Sequence, residues 1–395
     1  MPAMMRLMQV CFLFVSGIVS HPGHERLEHR RDSLVARDFN SAHMYANWPS
    51  YADLPLDVSY PTKAAWDVWG ANDSLGALNH ITPSTIKAAT QEIQLGQTFN
   101  LNLELHKIVN PINAARKPLT HLFQPGDGYT DDVVVLNTQI STQYDGLRHF
   151  PYSTNNSVES FRWYNDLIED YEDVIGPNPT KVLGIHEAAQ KGIVGRGVLL
   201  DFAGYAEAMG MEYDAFDSYA INVSTWDAVA AWQGLERNWS RPGDILLTRT
   251  GWLKKYNELN STEAAALPWI GSGNSIGFEA SDASLEWLWE KKLALVGADN
   301  PAFESLPFDG VVDGTPRSLH QIFIGGELSP SARCHPAKPL LTTSLGWGQS
   351  IMEFLDLEDL AAKLHALNRS TFFLTIQNLN VVSGIASPPN AMAIL

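Results

Sequence analysis

The chain has 395 residues, 45% of them hydrophobic and 18% charged, which is enough for one large or two ordinary domains with a buried core. Lys and Arg number 27 against 44 Asp and Glu, a formal net charge of −17. So acidic a surface repels phosphate backbones and anionic lipid, which argues against nucleic-acid binding, and the apolar content excludes a disordered chain.

The N-terminus has the pattern of an export signal over residues 1–20. Arg6 precedes an apolar run at 7–19 (LMQVCFLFVSGIV), shorter than the ~20 residues of a bilayer span, and Gly17 and Ser20 suit a peptidase. Residues 21–45 read as a polar, flexible leader, in which His21, His24 and His29 fit a solvated tail better than a metal site. Cys11 lies in the signal, leaving Cys334 alone in the mature chain, so no internal disulfide can form. N-x-S/T triplets at Asn72, Asn155, Asn222, Asn238, Asn260 and Asn368 agree with a secreted glycoprotein that leaves the membrane once the signal is removed.

Thr82-Pro83 reads as an N-cap and first helical position, followed by an apolar stripe at Ile86, Ala89 and Ile93 that ends at Gly96. The alternation at 99–105 (FNLNLEL) predicts a half-buried strand, and 131–140 (DDVVVLNTQI) predicts a second that feeds into 141–150 (STQYDGLRHF). A helix is expected at 185–191, a strand at 193–201 after a glycine turn, a helix at 226–233 and a strand at 245–248 after Pro242-Gly243-Asp244. The amphipathic run 283–292 (ASLEWLWEKK) predicts a helix leading into a buried strand at 293–296. This alternation predicts a mixed α/β architecture in one domain.

The densest polar constellation is Gln139, Gln143, Asp145 and His149. If the strand continues, period-two geometry sets Gln139, Gln143 and Asp145 on one side. Two amides, a carboxylate and an imidazole can bind a hard or borderline cation and move protons; a hydrogen-bonded turn with a structural Asp and a surface His is the alternative.

Around these residues the chain resembles the cyclase-like metal hydrolases that include bacterial kynurenine formamidase and isatin hydrolase, in an extended fungal and actinobacterial branch. The resemblance spans residues 66–360. It rests on WDVWGANDSLGALNHITP (66–83), NTQISTQYDGLRHF (137–150), KGIVGRGVLLD (191–201), PGDILLTRTGW (242–252), VGADNPAFESLP (296–307) and GWGQSIMEFLDLEDLA (346–361). It implies a swivelling β/β/α fold over 46–395, with a mixed sheet or partial barrel flanked by helices, in a homo-oligomer.

The bacterial motif H-x-x-x-H-x-D, with a further His four residues on, falls on Gln139, Gln143, Asp145 and His149. Both motif histidines are therefore glutamines here. Imidazole suits zinc and amide oxygen suits manganese or magnesium, so the departure bears on a two-zinc site rather than on binding one ion. The resemblance implies Asp145, His320 and Glu353 as metal ligands, with Gln139 and Gln143 as weak ligands or water-orienting groups and His149 as the proton shuttle. It implies hydrolysis of an aryl formamide, amide or lactam, as in the arylformamidases of tryptophan catabolism. Trp66 and Trp69 either wall the aryl pocket or pack in the core. Glu304 either partners a ligand or caps a turn, and Asp299 recurs without an assigned role.

His320 and Glu353 stand 33 residues apart, whereas the resembled pattern needs about a dozen. Excising the twenty residues 325–344 (GGELSPSARCHPAKPLLTTS) leaves 13, so this segment reads as a retained intron or a lineage-specific loop. Cys334-His335 within it is too few ligands for a metal site. A competing reading is a serine hydrolase through Gly273-Asn274-Ser275-Ile276-Gly277, with Asp299 and His320 following, although Pro268 breaks the strand such an elbow requires. Another is a metal-depleted binding module, and a third a metal-dependent dehydratase or lactonase on the same site. Sequencing the transcript tests the intron: a spliced message that still encodes 325–344 defeats it.

Overall fold

The structure is a computed structural model that describes residues 45–61, 63–109, 116–151, 161–168, 170–268, 273–308, 310–312, 315–325 and 346–395. The expected signal, all of the leader but Tyr45, the triplet at Asn155, and Cys334 with its loop beyond Gly325 lie outside the described residues. The chain divides into two units, 1–48 and 49–395, and the fold below is that of the second. Among the described residues no helix is long and apolar enough to cross a membrane.

Fifteen strands are described. In chain order they are β1 (Thr98–Asn100), β2 (Thr120–Pro125), β3 (Thr130–Val135), β4 (Gln143–Asp145), β5 (Ile193–Asp201), β6 (Ala220–Ile221), β7 (Ile245–Arg249) and β8 (Gly277–Phe278). There follow β9 (Leu295–Ala298), β10 (Val311–Val312), β11 (Thr315–Pro316), β12 (Ile351–Glu353), β13 (Thr371–Gln377), β14 (Ala386–Ser387) and β15 (Asn390–Ile394). Nine of them build one curled mixed sheet, a half-barrel flanked by helices, in the order β1-β15-β13-β5-β7-β9-β12-β4-β14. Strands β5, β7, β9 and β12 run parallel, and the strands on either side of them run antiparallel. This is the mixed, partial-barrel α/β fold expected.

The parallel strands are apolar without alternation because both faces are covered: every residue of β7, β9 and β12 is buried. Leu199, Leu247, Met352, Phe372 and Leu374 belong to one continuous core, and burying each such side chain stabilises the fold by about 1.5–3 kcal/mol. Buried ion pairs cross this core. Arg196 donates to both oxygens of Asp244 (2.9 and 2.5 Å), tying β5 to the turn before β7. Arg249 donates to Asp201 (2.9 Å) and as a fork to Glu358 (2.8 and 2.7 Å).

Local rules held where short-range chemistry decides. Thr82 caps the helix Pro83–Ala89 through its hydroxyl with Pro83 at the first position, and helix Ile185–Lys191 ends at Gly192 in the left-handed region. The helix expected at 226–233 starts earlier, at Val223, because Asn222 caps it. The helix expected at 283–292 is Asp282–Glu290, capped by Ser281.

The run 131–140 is a correction. Its strand stops at Val135 and pairs only with β2 in a separate two-stranded hairpin, exposed along its length. Strand β4 is a distinct element of the main sheet, so Gln139 is not brought beside Gln143 and Asp145 by strand period.

The motif at 66–83 holds the sheet end that carries the site. Gly76, at φ +56°, lies against Gly348, whose carbonyl accepts from the Ala77 amide (2.9 Å). A Cβ on Gly76 would fall onto that carbonyl, in a backbone conformation that disfavours any side chain. Gly76→Ala is expected to destabilise the protein by about 3 kcal/mol or more, from combined strain and overpacking. An unchanged urea midpoint would refute this close approach.

Candidate functional site

The site forms where β4 and β12 pair antiparallel. Their register sets Glu353 opposite Gln143 and Ile351 opposite Asp145. Gln143, Asp145 and Glu353 therefore project from one face, since residues two apart in a strand share a side and so do directly opposed residues. Helix Leu319–Phe323 brings His320 to that face. Ser318 and Gln321 form a reciprocal cap at its start, and its backbone is anchored by the His320 amide donating to Glu304 Oε1 (3.2 Å).

Asp145, His320 and Glu353 are buried, and one ligating atom from each lies within 4.8 Å of the others. His320 Nε2 stands 2.9 Å from Glu353 Oε1 and 3.7 Å from Asp145 Oδ2. On the other side of the ring, Nδ1 meets Glu304 Oε2 at 2.9 Å, which fixes the ring and leaves Nε2 aimed at the two carboxylates. Glu304 is thus the partner of His320 rather than a turn cap. Left-handed backbone at Phe303 (φ +53°) and Phe354 (φ +52°) sits directly beside Glu304 and Glu353, so two of the carboxylates are set by strained chain.

The amides behave differently from one another. Gln139 donates from Nε2 to Asp145 Oδ1 (2.5 Å), while its Oε1 accepts from Arg116. The Gln139 oxygen is thus bonded to Arg116, and its amide nitrogen holds Asp145. Gln143 donates from Nε2 to Glu353 Oε2, and its buried Oε1 has no hydrogen-bond partner. Asp145 Oδ2 is buried and unbonded in the same way, while Glu353 Oε1 faces His320 Nε2 at 2.9 Å. Orphaned oxygens of this kind cost about 1–3 kcal/mol each or more, which a cation would recover.

Charge favours a cation. Asp145, Glu304 and Glu353 are buried carboxylates, opposed by Arg116 and by whatever proton His320 holds. The carboxylates outnumber the one guanidinium beside them, and a bound cation would offset the excess. The residues present fit a divalent ion.

Burial pushes Glu353 up to about 7, and Asp145 pushes it further in the same direction. Burial opposes a proton on His320, but Glu304, Asp145 and Glu353 outweigh it and raise its pKa well above the ordinary value. Burial would likewise raise Asp145, yet His149, His320 and Arg116 hold it below the usual range. His149, 3.6 Å from Asp145 Oδ2, is pushed down to about 4, chiefly by burial, with Arg116 and His320 adding to it against Asp145.

The rings of Phe150 and Phe308 flank His320 at 5.3 and 5.7 Å, and both are half-buried. Trp66 instead packs on Tyr60 and Trp69 on His80, both within the core. The contacts of the two tryptophans are therefore those of the packing alternative.

Ser275 is fully buried in an isolated bridge to Leu306, its hydroxyl donating to the Ile276 carbonyl. Asp299 accepts from the Thr250 amide and hydroxyl and the Gly251 amide, and both His320 nitrogens face carboxylates. The imidazole and the carboxylate that a serine triad requires are thus committed elsewhere. Arg116 was not singled out from sequence. It lies beyond the motif, and its only sequence signal is the basic pair it forms with Lys117.

The curled mixed sheet carries a buried Asp-His-Glu group able to hold a metal ion. The "Putative cyclase" family model matches residues 56–305, more than half of the chain, and the chain belongs to this cyclase family. A crystal structure described as a novel cyclase is 27% identical with a TM-score of 0.64, covering 84% of this chain and 99% of that one. Isatin hydrolase A from Labrenzia aggregata, bound to benzyl benzoate, is 13% identical with a TM-score of 0.44, covering 75% and 93%. Isatin hydrolase A from Ralstonia solanacearum is 14% identical with a TM-score of 0.45, covering 79% and 97%. A search of curated proteins finds no match.

The two histidines should titrate with opposite signs. His149, with its folded pKa lowered, contributes stability that is complete above ~6.5 and lost as pH falls towards 4. His320, raised, contributes stability present below ~6.5 and lost as pH rises through its folded value. In metal-free protein, imidazole nitrogen shifts are expected to show His149 neutral and His320 protonated at pH 7. The reverse order would refute this electrostatic account.

Proposed function

We propose that the protein hydrolyses a C–N bond in an aryl formamide, amide or lactam, using a divalent ion held by Asp145, His320 and Glu353 with Gln143 Oε1 beside them. The observation that carries this is the buried, carboxylate-rich group whose carboxylate oxygens and imidazole nitrogen converge within 4.8 Å. An ion bound there supplies a water of lowered pKa and polarises the substrate carbonyl. The oxygen-rich donor set favours manganese, with zinc next and magnesium after it.

The chain's own residues do the rest. Glu304 keeps His320 Nδ1 engaged, so that Nε2 presents its lone pair to the ion. Gln139, itself held by Arg116, fixes one Asp145 oxygen and leaves the other to the centre. His149 is neutral at working pH and 3.6 Å from Asp145, placed to accept the proton released on attack and return it to the leaving nitrogen. Phe150 and Phe308 offer flat apolar walls suited to an aryl group beside the reacting carbonyl. Export through residues 1–20 would place this activity outside the cell.

Elemental analysis after gentle purification is expected to find close to one manganese or zinc per chain; less than about a tenth of an ion would favour a non-catalytic module. A panel of aryl formamides, lactams and lactones, with and without added manganese or zinc, tests the bond cleaved. Turnover of lactones alone would move the reading to a lactonase, and chelator-insensitive turnover blocked by a serine-directed phosphonate would overturn it. His149→Gln is expected to lower kcat by about 10²-fold or more while leaving the metal content unchanged.

A further inference from the structure

A cavity of about 190 Å³ opens between β5, helix Val223–Trp232 and helix Glu358–Leu367. Leu199, Trp232, Leu364, His365, Asn368 and Arg369 line it, and no carboxylate stands among its described lining residues. Along the sheet, β5 is three strands from β12 and four from β4, which at ~4.8 Å per strand separates the cavity from the ligand group by about 14–19 Å. Its floor is apolar and fixed: Leu199 and Leu364 are fully buried, and the Gln233 amide donates to the Leu199 carbonyl (3.0 Å) and to Ser370 Oγ (2.9 Å). Trp232 supplies a flat wall, its ring 4.9 Å from that of His365.

Two basic side chains are each held from one side only. His365 Nε2 faces Asp201 Oδ2 at 3.0 Å, and this bond raises the pKa of the ring against burial, which favours its charged form. Arg369 donates through Nη2 alone, to the Glu92 carbonyl (2.9 Å), Glu92 Oε2 (3.2 Å) and the Thr371 carbonyl (3.1 Å). Among the described residues, His365 Nδ1, Arg369 Nε and Nη1 and the Asn368 side chain have no hydrogen-bond partner. Neither cation is needed to cap a helix. Each helix closes its own last carbonyls, with the Leu235 amide donating to Ala230 (2.9 Å) and the Arg369 amide to Leu364 (3.0 Å).

We propose that this cavity is a second ligand site, which takes a small aromatic carboxylate with its ring on Trp232 and its oxygens on His365 and Arg369. The size fits, since a protein cavity of roughly 150 Å³ accepts benzene and this one has room for a ring and its carboxylate. Charge selects an acid. Two cations with unbonded nitrogens, in a chain at −17, reverse the prevailing sign locally, and a planar carboxylate answers them with charge-assisted hydrogen bonds. The indole wall and the apolar floor select an organic ring over an inorganic anion. Opening an aryl lactam adds water across the ring C–N bond and releases an acid of this class. On the proposed hydrolysis the product itself therefore fits the site, while the binding stands without that reading.

Calorimetric titration of benzoate into the full chain tests this, as isolated from a bacterial host that leaves Asn368 unglycosylated and again after dialysis against a chelator. One benzoate per chain is expected in both states, with a dissociation constant of about 1 mM or tighter for roughly nine heavy atoms. Benzamide keeps the ring without the charge, acetate the charge without the ring, and each should bind at least about tenfold more weakly. His365→Gln and Arg369→Gln should each weaken benzoate by about tenfold or more, through loss of one charge-assisted bond. In wild type, benzoate should shift the ring signals of His365 and leave those of His149 in place, a readout that stands even where a variant fails to fold. No binding at about ten times the expected constant overturns the proposal, and so does benzamide bound as tightly as benzoate. Binding that is lost on chelation, or lost in Phe150→Ala and kept in both cation variants, lies at the ligand group instead and also overturns it. Turnover is not measured, so failure of the proposed hydrolysis leaves this test intact.

Discussion

The structure turns on negative charge enclosed without enough protein cations to balance it. Asp145, Glu304 and Glu353 share one small buried region with His320 and Arg116. Taking carboxylates out of water costs several kcal/mol each unless opposite charge and hydrogen bonds repay it. Strained backbone beside two of these carboxylates, and unbonded buried oxygens on Asp145 and Gln143, show that the fold itself does not complete that repayment. A site left short of positive charge in this way is shaped around something brought from outside.

The remainder of the core keeps this arrangement rigid, largely through buried ion pairs away from the site. Arg196 with Asp244, and Asp201 with Arg249 and Glu358, lie in three of the motifs that carry the family resemblance. Asp299 belongs to the same support. Burial raises its pKa to about 6, and its carboxylate collects the Thr250 and Gly251 amides that shape the turn after β7. Motif residues thus serve two purposes, and position within a motif does not tell which.

Much of the fold was legible because local chemistry and burial agreed. The helix at Ile185–Lys191, the strand at Ile193–Asp201 and the turn before β7 follow from apolar runs bounded by Gly and Pro. Asp145 was legible in the polar run around residue 145, but His320 and Glu353 only through the resemblance, and the match to the family model ends at residue 305, before those two. The run at 131–140 misled for a physical reason. A β-branched segment has the same pattern whether its apolar faces meet the core or solvent, so the run reads as one strand leading into 141–150.

By itself the sequence determined the class of fold, the order of most elements and the residue types available for chemistry, because propensity, capping and hydrophobic period act over a few residues. The antiparallel register of β4 on β12 was decided by tertiary structure, since pairing 206 to 210 residues away in the chain leaves no local trace (Asp145 stands opposite Ile351, Gln143 opposite Glu353). Tertiary structure also decided that Gln139 orients while Gln143 keeps an unbonded oxygen. Two identical side chains differ only in which neighbours reach them, and Arg116 reaches one of them.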